Sequence, residues 1–169
     1  MIGKDRLKPF MLSLGIIIAD QISKALIVHF IPENGIGFSC WNDYLRIIHV
    51  RNDAVAFSMG TDLPMLLKIV LFILVPLVLI SAIAVFLYRD EKELTEAQRW
   101  CFAGFVGGGI GNLIDRIFRG MSVVDFISTA NYGVFGMERW PTWNVADGAV
   151  VCSVAVLIIT MLFSKREKN

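Results

Sequence analysis

Two aspartates stand beside long apolar segments, where a membrane chain rarely places a carboxylate without a use. Asp125 lies between Val124 and Phe126, shortly after one apolar segment, and Asp147 opens the next. An ionised carboxylate at the edge of the hydrocarbon is costly, so such groups are candidates for function. Two of them at one face of a bilayer could share a proton and activate a water molecule, which is the chemistry of aspartic proteases.

The surroundings of the two aspartates differ in a way that suits such a pair. The apolar neighbours of Asp125 would desolvate its carboxyl group and raise its pKa. Asp147 begins a helix, where the helix dipole favours a negative charge. One acid and one base would result, although two close carboxylates titrate as a unit. The competing interpretation is that Asp147 only charges the start of a helix and that Asp125 is an ordinary loop residue.

Two further polar clusters lie within the apolar segments. Asp20 and Lys24 are four residues apart, so they share one helix face and can form an ion pair. This pair would orient the helix or contact the outer loop. Direct catalysis by Asp20 is disfavoured, because the adjacent lysine holds its carboxylate ionised. Asn112, Asp115 and Arg116 share a face of another helix. They could fix the end of that helix, or they could position the catalytic carboxylates and contact substrate, and one cluster can do both.

Four apolar segments must position these residues. Hydrophobic residues make up 56 % of the 169 residues, above the roughly 45–50 % of soluble domains. The segments cover about 9–30, 65–88, 97–118 and 145–163, each close to the roughly 20 residues that span a bilayer. The third contains five glycines at spacings that allow close helix packing. The sequence therefore predicts an all-α membrane protein with four transmembrane helices and a single domain, 1–169.

The basic residues predict the orientation of these helices. Most lysines and arginines fall in the two terminal segments and around 89–99, so the positive-inside rule places both termini in the cytoplasm. Residues of about 31–64 and 119–142 then face outward, and both aspartates lie at the outer face.

The outward segments contain candidates for local structure. Leu45–Val50 is rich in β-branched residues and predicts a strand, with Val55–Met59 as a possible partner in a small sheet or cradle. Trp140 and Trp143 are expected at the level of the lipid headgroups. Glycines in Ala130–Gly136 suggest a mobile flap.

Several function classes are disfavoured by composition. A net charge of +1 without a basic stripe gives no reason to expect a nucleic-acid partner. His29 and His49 lack metal-ligand spacing, so neither a metal nor a cofactor is expected. A small transporter or assembly subunit would need polar residues along a midplane path, which the second segment lacks. A serine or cysteine protease would need a nucleophile paired with histidine, and no such pair is visible. Cys40→Ala would test a thiol nucleophile.

Taken together, the motifs resemble those of bacterial lipoprotein signal peptidase, also called signal peptidase II. The resemblance covers nearly the whole chain and rests on five motifs in the expected order: Asp20-Gln21-Ile22-Ser23-Lys24, Asn52 with Ala56-Phe57-Ser58, Gly111-Asn112-Leu113-Ile114-Asp115-Arg116, Val123-Val124-Asp125-Phe126 and Asn144-Val145-Ala146-Asp147. It implies an aspartic endopeptidase of the bacterial inner membrane. We expect the protein to be a monomer in contact with membrane lipid. Its substrates would be diacylglyceryl-modified prolipoproteins, cleaved just before the lipid-modified cysteine.

The resemblance also assigns roles by position. Asp125 and Asp147 would be the catalytic pair. The residues that would support the pair or bind substrate are Asn52, Asn112, Arg116, Asn144, Asp20, Lys24 and Asp115, the last as a structural carboxylate. Two positions depart from the family pattern. Ala54 stands where a glycine is usual, which leaves the turn near Asn52 in question, and Trp143 replaces a phenylalanine.

Overall fold

The computed structural model describes residues 4–53, 63–89 and 94–164. Within them the chain is mostly helical, with one small sheet. In chain order the elements are α1 (Lys4–Phe30), β1 (Ile36–Cys40), β2 (Leu45–Asn52), α2 (Met65–Ile69), a π-helical turn (Val70–Leu74), α3 (Val75–Arg89), α4 (Glu96–Phe118), β3 (Val123–Thr129), a 3-10 turn (Val134–Gly136) and α5 (Val145–Ser164).

Within these described ranges, three helical runs are long and apolar enough to cross a membrane. They are Arg6–Phe30, the continuous run Met65–Arg89, and Val145–Phe163. Many of their large apolar side chains are exposed, among them Leu66 and Val78. Exposed apolar surface on this scale identifies a membrane protein, because lipid is the solvent that such a surface requires.

The prediction of four spans is met only in part, because α4 does not reach the same apolar character. The helix is present at the predicted place, but its glycines and the charges at its two ends lower its hydropathy. Most of its central residues are nevertheless buried. Helix α4 therefore lies inside the bundle, with neighbours on several sides.

The glycines of α4 explain how three helices approach it. A Cβ atom at Gly107 would lie 2.8 Å from Ser13 Cα of α1, and one at Gly109 would lie 2.7 Å from Ile80 of α3. At Gly108 a Cβ would collide with the backbone oxygen of Ala146 in α5. The predicted role of these glycines in close helix packing is thus confirmed.

Alanine at Gly108 is expected to reduce the free energy of unfolding by about 1–3 kcal/mol, because overpacking displaces the α5 backbone. Gly15→Ala in α1 is the matched control, since nothing lies within 4 Å of its added Cβ. Glycine is disfavoured in helices, so this change should be neutral or stabilising by up to about 1 kcal/mol. Thermal unfolding of both variants in detergent micelles tests the difference, and equal effects would contradict the packing argument.

The three strands form one antiparallel sheet in the order β1-β2-β3. The predicted strand at Leu45–Val50 is confirmed as β2. Its partners are β1 and β3, neither of which was predicted, whereas the suggested partner Val55–Met59 lies outside the described residues. Where β2 is irregular, the ring nitrogen Nδ1 of His49 lies 2.8 Å from the Ile31 oxygen. This contact ties the sheet to the end of α1.

The segment after β3 folds back along that strand. Ile127 and Trp143 exchange backbone hydrogen bonds of 2.8 and 3.0 Å, and Ala130 bridges to Arg139. The Arg139 side chain also donates to the oxygens of Ser128 and Tyr44. Residues 130–136 form turns at the far end of this ribbon. The mobility predicted for them, and the headgroup level predicted for the tryptophans, remain predictions.

Candidate active site

Asp125 lies in the middle of β3, with its carboxylate almost completely buried. Asp125 pairs with Val50 of β2, and two positions further along the same two strands Asn52 pairs with Val123. Asn52 Nδ2 donates to Asp125 Oδ2 at 2.9 Å, and Asn144 Nδ2 donates to Oδ1 at 2.6 Å. Both oxygens therefore have amide donors, one from the sheet and one from the start of α5.

Asp147 lies in the first turn of α5 and closes a reciprocal pair of hydrogen bonds with Asn144. The Asn144 backbone N–H donates to Asp147 Oδ2 at 3.1 Å, and the Asp147 backbone N–H donates to Asn144 Oδ1 at 3.0 Å. This is the geometry of a capping box, which satisfies N–H groups that a helix start leaves unpaired. The second carboxylate is thus fixed by the helix that carries it.

A pair of asparagine amides connects the two carboxylates. Asn112 Nδ2 donates to Asp147 Oδ1 at 2.7 Å, and Asn144 Nδ2 donates to Asn112 Oδ1 at 3.1 Å as well as to Asp125. The two aspartates therefore belong to one hydrogen-bonded network, although Asp147 comes 22 residues after Asp125 in the chain.

Lys24 orients this network through its contact with the amide of Asn112. Its Nζ lies 3.0 Å from Asn112 Oδ1, 2.9 Å from Asp20 and 3.2 Å from Asp115, and all three charged groups are fully buried. With Lys24 and Asn144 both donating to its oxygen, the amide of Asn112 must present its NH₂ group to Asp147. The predicted Asp20–Lys24 ion pair is present, and Asp115 joins it.

Asp20 and Asp115 have a second role, which is to hold the backbone next to each candidate catalytic residue. The Ala146 N–H, one residue before Asp147, donates to Asp20 Oδ1 at 3.0 Å. The Val124 N–H, one residue before Asp125, donates to Asp115 Oδ2 at 3.0 Å. The buried ion-pair cluster thereby sets the positions of both aspartates.

Arg116 lies at the same end of α4, beside this network. Its guanidinium interacts electrostatically with Asp147, Asp125 and Asp115. The group also lies over the ring of Phe72, 5.8 Å from its centroid, a cation–π distance. One cation therefore lies within electrostatic range of both carboxylates of the candidate pair.

All nine residues singled out from the sequence come together in this region. Gln21 belongs with them and was given no role. Its Nε2 lies 3.1 Å from Asp20 Oδ2, from the Gly111 oxygen and from Asp115 Oδ1. The position of Gln21 directly after Asp20 in the sequence is the signal by which it could have been identified. Ala54, one of the two departures from the family pattern, lies outside the described residues.

Burial raises the pKa of the Asp125 carboxyl to about 6, as expected from its apolar neighbours. The negative charge of Asp147 adds to the rise, whereas the amides of Asn52 and Asn144 and the charge of Lys24 oppose it. The folded protein thus retains a proton at Asp125 that the unfolded chain loses near pH 4.

This raised pKa predicts a pH-dependent stability. The proton contributes stability that is fully present below pH 3.8 and is lost as the pH rises through about 6. The loss should be about 3 kcal/mol, at 1.36 kcal/mol per pKa unit. Asp125→Asn should lack this pH-dependent component. The free energies of unfolding of wild type and Asp125→Asn, measured in detergent across pH 4–8, should therefore diverge. Parallel profiles would show that the pKa of Asp125 is not raised.

Among the residues that the structure describes, no group of three His, Cys, Asp or Glu side chains is placed to hold a metal ion. The two candidate carboxylates instead face amides and a guanidinium. Carboxylates held in this way have the chemical groups needed for general acid–base catalysis.

Comparison with known proteins gives consistent matches. The family model described as signal peptidase (SPase) II matches residues 12–163. The lipoprotein signal peptidase of Treponema pallidum (strain Nichols) is 39 % identical over 168 residues, which cover 99 % of this chain and 89 % of the relative. That of Treponema denticola is 41 % identical over 149 residues, covering 88 % and 85 %. That of Borreliella burgdorferi (strain B31) is 39 % identical over 158 residues, covering 94 % and 91 %.

Solved structures share the fold. A bacterial membrane enzyme determined by the in meso method at 2.3 Å resolution superposes with a TM-score of 0.80 at 24 % identity, covering 96 % of this chain and 92 % of that one. A second such structure, at 1.9 Å resolution, gives a TM-score of 0.76 over 92 % of each chain.

Proposed function

The chain belongs to the signal peptidase II family and is a membrane aspartic peptidase, and from this we propose that it removes the signal peptides of diacylglyceryl-modified prolipoproteins. Cleavage falls just before the lipid-modified cysteine. The observation that supports this proposal best is the pair of carboxylates, Asp125 and Asp147, joined through the amides of Asn144 and Asn112.

The proposed mechanism uses one proton shared by the two aspartates. The ionised carboxylate accepts a proton from a water molecule held between the pair, while the protonated partner donates a hydrogen bond to the scissile carbonyl. Burial of Asp125 assists because its raised pKa, about 6, lets the pair retain one proton at a higher pH than an ordinary carboxyl group would. Asn52, Asn112 and Asn144 keep the carboxylates aligned, and Arg116 stabilises the negative charge that develops.

The proposed topology has four spans, with α4 as the third. An interior helix needs less apolar surface than one facing lipid, and the glycines of α4 bring its neighbours close enough to cover it. Both termini and residues 89–99 lie in the cytoplasm, and the sheet and the aspartates lie at the outer face of the bacterial inner membrane. The protein acts as a monomer with a single domain.

A cleavage assay tests this function. Purified protein in detergent is mixed with a diacylglyceryl-modified prolipoprotein, and the product is scored by its shift in mobility. An unmodified precursor is the control, and it should remain uncut because the lipid anchors the substrate beside the aspartates. Equal cutting of both precursors would refute lipid recognition. Cys40→Ala should keep full activity, and its inactivity would indicate a thiol nucleophile instead.

A further inference from the structure

A small cleft lies at the opposite end of the bundle from the aspartates, between the beginnings of α1 and α4. Its volume is about 250 Å³, and its lining consists of Lys8, Pro9, Glu96, Arg99 and Trp100. Two basic side chains from different helices thus line one concave site together with an indole ring. Neither the proposed reaction nor the fold of the sheet uses this cleft.

Helices α1 and α4 run parallel, which sets the electrostatics of the cleft. Ser13 Oγ donates to the Ala103 oxygen at 2.6 Å, and further along both helices Lys24 Nζ contacts Asn112. The N-terminal ends of both helices therefore lie side by side, and each carries a partial positive charge from its dipole. These partial charges add to the full charges of the lysine and the arginine.

We propose that this cleft binds the phosphodiester headgroup of an anionic phospholipid. Among the residues that line the cleft, Lys8 and Arg99 contribute two positive charges and Glu96 one negative charge, so this lining has a charge of +1, which complements one monoanionic phosphodiester. Lysine has three N–H donors and arginine five, so each can contact a phosphate while keeping another partner. Trp100 suits the headgroup level, where indole rings are favoured. Basic pockets at the cytoplasmic ends of membrane helices bind lipid headgroups by this chemistry.

The site is independent of the proposed peptidase reaction. The cleft lies at the beginnings of α1 and α4. Asp125 lies in β3, which follows the end of α4, and Asp147 lies at the beginning of α5. Binding can therefore be measured without substrate, and its failure would leave the proposed function untouched.

Native mass spectrometry of the full chain in a neutral detergent tests the proposal. Phosphatidylglycerol is titrated against wild type, Lys8→Gln and Arg99→Gln. Each substitution should weaken lipid retention about five-fold, since one basic residue near a lipid surface contributes about 1 kcal/mol. Arg89→Gln is the matched control, because Arg89 ends α3 at this end of the bundle but does not line the cleft. It should change retention less than about two-fold.

Three results would overturn the proposal. Equal losses of lipid retention in Arg89→Gln and Arg99→Gln would show that any basic residue at this end of the bundle attracts anionic lipid, without a specific role for the cleft. Equal retention of phosphatidylethanolamine would show that anionic charge is not recognised. Displacement of the lipid by inorganic phosphate at equal concentration would assign the cleft to a soluble anion. Thermal unfolding verifies that the variants fold, and should Arg99→Gln fail to fold, Lys8→Gln decides, because the Lys8 side chain is exposed.

Discussion

Asparagine in place of either Asp125 or Asp147 is expected to lower the rate of prolipoprotein cleavage at least about 10³-fold. General acid–base catalysis by itself contributes about 10²–10⁴-fold, and either substitution leaves the proposed pair without the proton exchange that it needs. Because the two carboxylates act as one unit, the double variant should be no slower than the slower single variant. Single-turnover cleavage of the modified precursor measures the rates.

The control for this experiment is Asp43→Asn. Asp43 lies in the turn between β1 and β2, where it pairs with Arg46 at the surface. Its loss should leave cleavage within about two-fold of wild type. An Asp125 or Asp147 variant that retained a folded structure and full activity would remove the basis of the aspartic mechanism for this pair.

Methionine in place of Lys24 is expected to destabilise the protein by about 3–5 kcal/mol. Lys24 is fully buried between Asp20 and Asp115, and removing one member of a buried ion pair leaves uncompensated charge in a medium that solvates it poorly. Activity should fall as well, because Asn112 loses one of the two donors that direct its NH₂ group to Asp147. Thermal unfolding in detergent measures the stability.

Two companion variants separate charge burial from lost packing. Lys68→Met removes a lysine whose partner, Asp53, is half exposed, so it should cost less than about 1 kcal/mol. The double variant Asp20→Asn with Lys24→Met leaves Asp115 paired with Arg119 and should recover part of the lost stability. A double variant less stable than Lys24→Met alone would contradict the charge argument.

The sequence predicted the helices well because their signal is local. Runs of apolar residues showed the four helices, and the spacing of Asp20 and Lys24 showed the buried pair. Strand β3 was missed because both faces of Val123–Thr129 are largely buried. Such a strand lacks the alternation of polar and apolar residues that marks a half-exposed strand. A buried aspartate in its middle made a loop the simpler interpretation.

The contacts that fix the candidate site could not be predicted from sequence patterns. Asp20 accepts a hydrogen bond from the backbone N–H of Ala146, which lies 126 residues away. The residue type of Ala146 does not indicate which side chain accepts that hydrogen bond. Only the packing of α1, α4 and α5 brings them together. The reciprocal bonds of Asn144 and Asp147 were in principle visible, since an Asn three residues before an acidic residue is typical of a helix start.

The order of elements along the chain has a consequence for biosynthesis. Asp147 and Asn144 stand at the beginning of α5, which emerges from the ribosome after every other helix and strand described here. A nascent chain that has already formed α1, α3 and α4 still lacks one of the two carboxylates. Under the proposed mechanism the hydrolase is therefore inert until α5 has joined the other helices, because only then is the second carboxylate in place.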